Sequence, residues 1–173
     1  NMIEVLPYLA ADDSGDVFGI VNHFLPALSA KTALNTLGVK WEDAVPEKSS
    51  RDLLYTEYSQ RHEGVPSFSA KDFDRVVAKN LRQIARMVNP DSGWGWFGAY
   101  HESSWPDTTA YVVDALLDVR DQFDARLIDD GVFWLEDYAK ERIAKFKEVQ
   151  AVSNTDAFVA RVLSKAGRPN TEL

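Results

Sequence analysis

The sequence predicts an all-α protein built from antiparallel helical hairpins. Apolar residues recur at steps of three and four along most of the chain, as they do on one face of a helix. Gly38, Gly167 and Pro169 follow the ends of such stretches, and these residue types terminate helices. No stretch alternates apolar and polar residues between turn signals, so the pattern indicates no strand. Short connections between the helices favour antiparallel neighbours.

The apolar spacing places five main helices and their inward faces. We expect them at about 17–37, 70–88, 107–123, 130–148 and 155–166, with a short helix near 51–61. Pro26 should kink the first helix or divide it in two, and Ser69 with Asp72 has the spacing of a capping box. The residues expected to face the core are Val17, Val21, Phe24, Leu28, Leu34 or Leu37, Phe73, Val77, Leu81, Ile84, Val88, Tyr111 or Val112, Ala115, Leu116, Val119, Val132, Leu135, Ala139, Ile143 and Phe146.

Composition limits the class of protein and its partners. The 173 residues are 45% apolar and include five Trp, six Tyr and nine Phe, which suits a single helical domain over 1–173 and excludes a disordered chain. The net charge of −8 argues against nucleic acid, because phosphate contacts need clustered Lys and Arg. No apolar run approaches the ~20 residues that span a bilayer, so we expect no membrane contact. Both ends of the sequence look like cuts in a longer protein.

Two segments carry a resemblance to known folds. Residues 89–97 read Asn-Pro-Asp-Ser-Gly-Trp-Gly-Trp-Phe, and residues 107–117 read Asp-Thr-Thr-Ala-Tyr-Val-Val-Asp-Ala-Leu-Leu. Together they resemble a recurrent motif of α/α toroids, in which a glycine-rich aromatic turn leads into a Thr-Ala-rich helix. Two broad families use this motif: the terpene cyclases with their prenyltransferase relatives, and the thioester domains of alpha-2-macroglobulins and complement components.

The N-terminal segment favours the second family. Tyr8-Leu9, Gly15 and Phe24-Leu25-Pro26 are similar to the bacterial macroglobulin stretch in which Tyr-Leu is followed by Tyr-Pro-Tyr-Gly-Cys-x-Glu-Gln and then by Arg-Phe-Leu-Pro. The two motifs occur in the family's order and cover roughly the first 120 residues. The resemblance therefore implies that the helical hairpins form part of an α/α toroid, a fragment of a longer thioester-like domain in a large multidomain protein.

The reactive residues of that family are replaced in this chain. In the family, the Cys sulfur and the Gln carbonyl carbon form an internal thioester. Here the corresponding positions hold Asp16 and Gly19, and Phe18 replaces the Glu, so the bond cannot form. The resemblance then implies a non-enzymatic domain without a cofactor, contributing to broad-spectrum endopeptidase inhibition by non-covalent trapping. Its implied partners are proteases and other domains of the same chain, in a periplasmic, cell-surface or secreted protein.

An enzymatic interpretation remains as an alternative. Residues 12–16 spell the Asp-Asp-x-x-Asp pattern by which some terpene synthases hold magnesium. The adjoining Ser14-Gly15 favours a loop, so we prefer an interpretation in which the acids precede and cap a helix. The Asp-x-Asp-Asp acid of class II cyclases is missing, and a chain without cysteine lacks the zinc ligands of protein prenyltransferases. We therefore predict no catalytic, cofactor-binding or metal-binding residue.

The aromatic turn is the remaining candidate site. Trp94, Trp96, His101 and Trp105, together with Phe97 and Tyr100, could bind a partner protein or a carbohydrate, because aromatic residues are favoured interface anchors. Packing of these rings over helix ends is the preferred alternative, since aromatic side chains dominate core burial. We expect His101 to be an ordinary polar residue on the surface, because it has no nucleophile beside it. We expect His23 to have a structural place in the first helix.

Overall fold

A computed structural model describes residues 15–44, 70–98, 102–149 and 151–170. Regular structure in these ranges is helical, apart from one isolated antiparallel bridge between Val88 and Trp94. The all-α prediction is confirmed. None of the helices within these ranges is long and apolar enough to cross a membrane. The predicted helix at 51–61 and the capping box at Ser69 lie outside the described residues.

The helices begin and end close to where the spacing predicts them. They are α1 Val17–Thr36, α2 Trp41–Ala44, α3 Ala70–Arg86, α4 Pro106–Leu117, a single 3-10 turn at Arg120–Gln122, α5 Ala125–Val149 and α6 Asn154–Lys165. Pro26 lies inside α1 without dividing it. The helix predicted over 107–123 ends earlier, at Leu117, and continues as the 3-10 turn.

Local capping sets several of these boundaries. Pro106 occupies the first turn of α4, where its missing N–H costs no hydrogen bond. Ser153 and Asp156 form a capping box at the start of α6, each side chain accepting a hydrogen bond from the other residue's backbone N–H. Gly38 and Gly167 follow α1 and α6 with positive φ angles of 67° and 78°, the left-handed conformation that glycine adopts without strain.

Contacts group the chain into two compact units. The described part of the first unit consists of 22–44 and 70–82. In this unit Phe24 and Leu28 of α1 are buried, as are Val77 and Leu81 of α3. An ion pair between Lys31 and Asp74 joins the two helices. Leu37, one of two alternatives for the inward position at the end of α1, is 73% exposed because the helix has already ended at Thr36.

The second unit comprises 15–21 and the described residues from 83 onward. Helices α4, α5 and α6 pack against one another in it. Arg142, late in α5, pairs with Asp156 at the start of α6, whereas Glu136, earlier in α5, pairs with Arg168 after α6. Helices α5 and α6 are therefore antiparallel, as the short connection between them predicts.

The core of the second unit is apolar and excluded from solvent. Its fully buried members include Val17, Ile20, Ile84, Trp94, Val112, Leu116, Ile128, Leu135, Val159 and Leu163. Phe146, predicted to face inward, is instead 46% exposed. It lies in the last turns of α5, at 143–149, beyond the point where Arg142 pairs with the start of α6. The apolar spacing of α5 continues to Phe146, but α6 does not extend far enough to cover its side chain.

Candidate functional site

The aromatic turn between α3 and α4 is held in place by its own backbone. The N–H of Asn89 donates to the carbonyl of Gly93 over 2.8 Å, and the N–H of Trp105 donates to the carbonyl of Trp94 over 2.9 Å. Ser92 takes a positive φ of 72°, the strained residue of the turn. These hydrogen bonds fix the backbone of the turn and so the positions from which its side chains project.

Trp94 is a core residue rather than a surface contact. Its exposed fraction is 0%, and its indole N–H donates to the carbonyl of Ile84 in the last turn of α3 over 3.0 Å. Its backbone N–H donates to the Thr109 hydroxyl, 2.9 Å away in α4. Trp94 therefore offers no exposed surface to a partner in this structure. Its indole adds a hydrogen bond to a carbonyl near the end of α3 that also accepts one, over 3.1 Å, from the N–H of Met87, so Trp94 packs over the helix end.

The two glycines beside Trp94 are required by close packing. A Cβ on Gly93 would lie 2.5 Å from the Cβ of Ser104 and 3.0 Å from the ring of Trp134. A Cβ on Gly95 would lie 2.5 Å from the carboxylate of Glu102. Neither glycine has a positive φ; the residues of this turn that do are Ser92 and Gly98.

Asp91 ties the turn to the rest of the second unit. Its carboxylate accepts hydrogen bonds from the Ser104 hydroxyl at 2.6 Å, the Gly93 N–H at 3.2 Å and the Trp134 indole N–H at 3.1 Å. Burial by itself raises the pKa of Asp91, but the hydrogen bonds from Ser104 and Trp134 outweigh it, so the pKa lies below its usual value. Asp91 therefore stays ionised at neutral pH. Sequence reasoning missed this role, although the Asn-Pro-Asp-Ser-Gly turn signalled it.

Three other aromatic residues of the turn are open to solvent. Trp96 is 49% exposed, Phe97 is 71% exposed and Trp105 is 52% exposed. Trp96 and Trp105 thus remain candidates for partner contact, and Phe97 joins them. Tyr100 and His101 lie outside the described residues. His23 is buried, with 7% exposure, in keeping with a structural place in α1.

The positions of the missing thioester lie at the start of α1. Asp16 immediately precedes the helix, and its carboxylate accepts a 2.8 Å hydrogen bond from the N–H of Gly19. This is the geometry of an N-cap, so the preferred capping interpretation of Asp16 is confirmed. The remaining acids of the possible magnesium motif, at 12–13, lie outside the described residues.

The N-terminal segment contacts the aromatic turn. The N–H of Val17 donates to the carbonyl of Trp96 over 2.8 Å. The ring of Phe18 lies edge-on to Trp96, with centroids 5.5 Å apart, and stacks on Tyr111 of α4 at 5.1 Å. The two segments that were singled out in the sequence are therefore brought together. Nothing in the spacing alone indicated that Phe18 would fill the place between the turn and α4.

Comparison with known proteins finds no match for this chain among family models, curated proteins or solved structures. What the site does must then be argued from its residues. No group of His, Asp or Glu within the described ranges has the arrangement of a metal site. The features that the described residues offer are exposed aromatic surface, a capped helix start and a hydrogen-bonded turn.

Proposed function

We propose that this chain is a helical segment of a macroglobulin-like protein and contributes to endopeptidase inhibition by non-covalent trapping. In this proposal the helical hairpins are part of an α/α toroid within a larger periplasmic, cell-surface or secreted protein. The domain has no catalytic residue of its own. Its partners are the trapped protease and the other domains of the same chain.

The observation that carries the proposal is the contact between the two motifs. Phe18, in the degenerate thioester segment, packs against Trp96 in the aromatic turn and Tyr111 in the following helix. One residue of the segment that resembles the macroglobulin stretch and two residues of the toroid motif thus share one small region, although they are far apart in the sequence. Their proximity supports the proposal.

The non-covalent mechanism follows from the chemistry at Asp16 and Gly19. Thioester formation needs a sulfur nucleophile and a side-chain carboxamide, and the chain has no cysteine. Asp16 instead uses its carboxylate to cap α1, and Gly19 offers only its backbone N–H. Since no acyl group is stored there, a protease can be held only by enclosure or by surface contacts.

A second candidate is a toroid scaffold that binds a protein or carbohydrate through its aromatic turn. The exposure of Trp96, Phe97 and Trp105 favours it, because large exposed aromatic groups anchor interfaces. A cyclase or prenyltransferase relative is a weaker alternative, since the Asp16 carboxylate of the possible metal motif is occupied by the N–H of Gly19.

The proposal is tested by a protease-trapping assay on the complete gene product. The gene product is incubated with several endopeptidases, and cleavage of a large protein substrate is compared with cleavage of a small chromogenic peptide. Labelled methylamine is added in parallel to detect any reactive acyl group. Trapping predicts protection of the large substrate, continued cleavage of the small one, and no label on this segment.

Two results would count against it. Equal cleavage of both substrates would remove the inhibitor proposal and leave the scaffold candidate. Incorporated methylamine on residues of this segment would contradict the non-covalent mechanism. The scaffold candidate is tested by glycan-array binding of the chain with Phe97→Ala, and with Val152→Ala as an equally exposed apolar control. Loss of binding in the first variant alone supports it.

A further inference from the structure

A groove on the second unit combines carboxylates with aromatic rings. It has a volume of about 430 Å³, within the range of ligand pockets. The described residues that line it are Asp91, Ser92, Asp130, Phe133, Trp134, Asp137, Tyr138 and Glu141. Four of these eight are acids, three are aromatic, and none is a Lys or Arg. The groove is separate from the exposed face of Trp96, Phe97 and Trp105, none of which lines it.

Two of the three rings of the groove, those of Trp134 and Tyr138, are held in place by hydrogen bonds. Trp134 and Tyr138 lie one turn apart on α5 with nearly parallel rings, 3° between planes and 6.4 Å between centroids. The indole N–H of Trp134 donates to Asp91 over 3.1 Å, and the Tyr138 hydroxyl donates to Asp156 over 2.7 Å. Burial, reinforced by Asp156, raises the pKa of Tyr138 to about 12, so its hydroxyl stays protonated. A ligand would meet a preorganised surface rather than mobile side chains.

Three basic side chains of the protein already lie beside residues that line the groove. The guanidinium of Arg168 lies 4.4 Å from the ring centroid of Phe133. The ammonium of Lys140 lies 2.8 Å from Asp137, and that of Lys145 lies 3.7 Å from Glu141. These two lysine pairs are exposed, and exposed ion pairs contribute little to stability. A bound cation could replace the lysines at small cost, in a chemical environment that suits guanidinium and ammonium groups.

The spread of the acids favours an extended ligand. Asp130, Asp137 and Glu141 follow one another along α5, so at 1.5 Å per residue they extend over about 16 Å. A single amine would contact only one of them. The first and last Cα atoms of an extended five-residue peptide lie about 13 Å apart, and every second side chain points to the same side. The long side chains of Arg or Lys cover the remaining distance.

We infer that this groove binds an extended basic peptide segment, with Arg or Lys at alternate positions directed at Asp130, Asp137 and Glu141. The aromatic rings of Phe133, Trp134 and Tyr138 contact the peptide and the stems of its basic side chains. The overall charge of −8 assists the encounter with a cationic segment. The inference does not depend on the proposed protease-trapping function.

Fluorescence anisotropy of a labelled Arg-Ser-Arg-Ser-Arg peptide tests it with the full chain. The same peptide with Gln in place of Arg should show no comparable binding, and added NaCl should weaken the Arg peptide because it screens exposed charge. Asp137→Asn and Glu141→Gln should each weaken binding about two- to fivefold, as expected for one exposed ion pair, and more when combined. Phe133→Leu should weaken it by a similar factor.

Asp129→Asn is the matched control. Asp129 is an exposed acid next to Asp130 on α5 but does not line the groove, so its neutralisation should leave binding unchanged. An equal loss in this variant would show that net charge alone attracts the peptide, and would overturn the inference. Equal binding of the Gln peptide would also overturn the inference. Complete competition by tetramethylammonium at the same concentration of cation would overturn it too, because it would assign the groove to small organic cations.

Discussion

Replacing the Asp156 carboxylate by an amide should destabilise the second unit substantially. The carboxylate is buried, with 3% of the side chain exposed. It accepts hydrogen bonds from Nε and Nη2 of Arg142, both at 2.9 Å, from the Tyr138 hydroxyl at 2.7 Å, and from the Ser153 N–H at 2.8 Å. Four donors from α5 and the start of α6 thus converge on two oxygens.

The size of the effect follows from counting acceptors. In Asp156→Asn an NH2 group replaces one carboxylate oxygen. This group cannot accept a hydrogen bond, so the donors that pointed at the lost oxygen have no acceptor. Each buried donor left unpaired costs about 1–3 kcal/mol, and breaking a buried ion pair costs about 3–5 kcal/mol. Arg142 is 27% exposed, so water can solvate it after the change. We therefore expect a loss of about 2–4 kcal/mol, less than the maximum for a fully buried ion pair.

Urea unfolding followed by tryptophan fluorescence measures this loss. Four of the five tryptophans, Trp94, Trp96, Trp105 and Trp134, belong to the second unit, so the signal reports mainly the unit that contains Asp156. Asp137→Asn is the control, because Asp137 is 74% exposed and forms its ion pair with the similarly exposed neighbour Lys140 on the same helix. Its loss should stay within about 0.5 kcal/mol. If Asp156→Asn cost no more than this control, the carboxylate would not hold α5 and α6 together and the reasoning would fail.

Three further changes probe the same unit. Gly131→Ala would place a Cβ 2.8 Å from Val113 and 2.9 Å from the buried ring of Trp94. The clash should cost about 1–3 kcal/mol, which exceeds the gain in helix propensity of about 1 kcal/mol. The thermal unfolding midpoint should therefore fall. Asp16→Ala should cost about 1 kcal/mol through the lost cap, whereas Asp16→Asn should retain most of it in the same melts. Arg142 holds the pKa of Asp156 below its usual range, so wild-type stability should fall as pH drops below the unfolded value of about 3.9. In an acid titration this fall should be smaller for Asp156→Asn, in which only Asp91 and the other carboxylates remain to be protonated.

Sequence spacing predicted the helices well because each helical face repeats locally. Val77, Leu81 and Ile84 recur at steps of four and three, and all three are buried. The failures occur at helix ends. Leu37 and Phe146 continue the period of their helices but are exposed, since a local pattern does not record where the covering neighbour stops.

The candidate site was predictable only in part. The Gly- and Trp-rich composition of 89–97 marked a special turn, and it is one. Which rings are buried could not be read from composition, because Trp94 and Trp96 are two residues apart in the same motif yet have 0% and 49% exposure. The difference depends on a helix-end carbonyl, that of Ile84, and on Phe18 from the N-terminal segment.

The sequence by itself determined the helical class, most of the buried faces, the helix stops at Gly38 and Gly167, and the absence of any thioester. These follow from local properties: side-chain periodicity, backbone freedom and the chemistry of individual residues. Only the tertiary structure decided that Phe18 would meet Trp96 and Tyr111. It alone also placed Asp91 beside α5, where it forms a groove with Trp134. Such contacts join residues distant in sequence, and no local pattern encodes which helix faces will pack together.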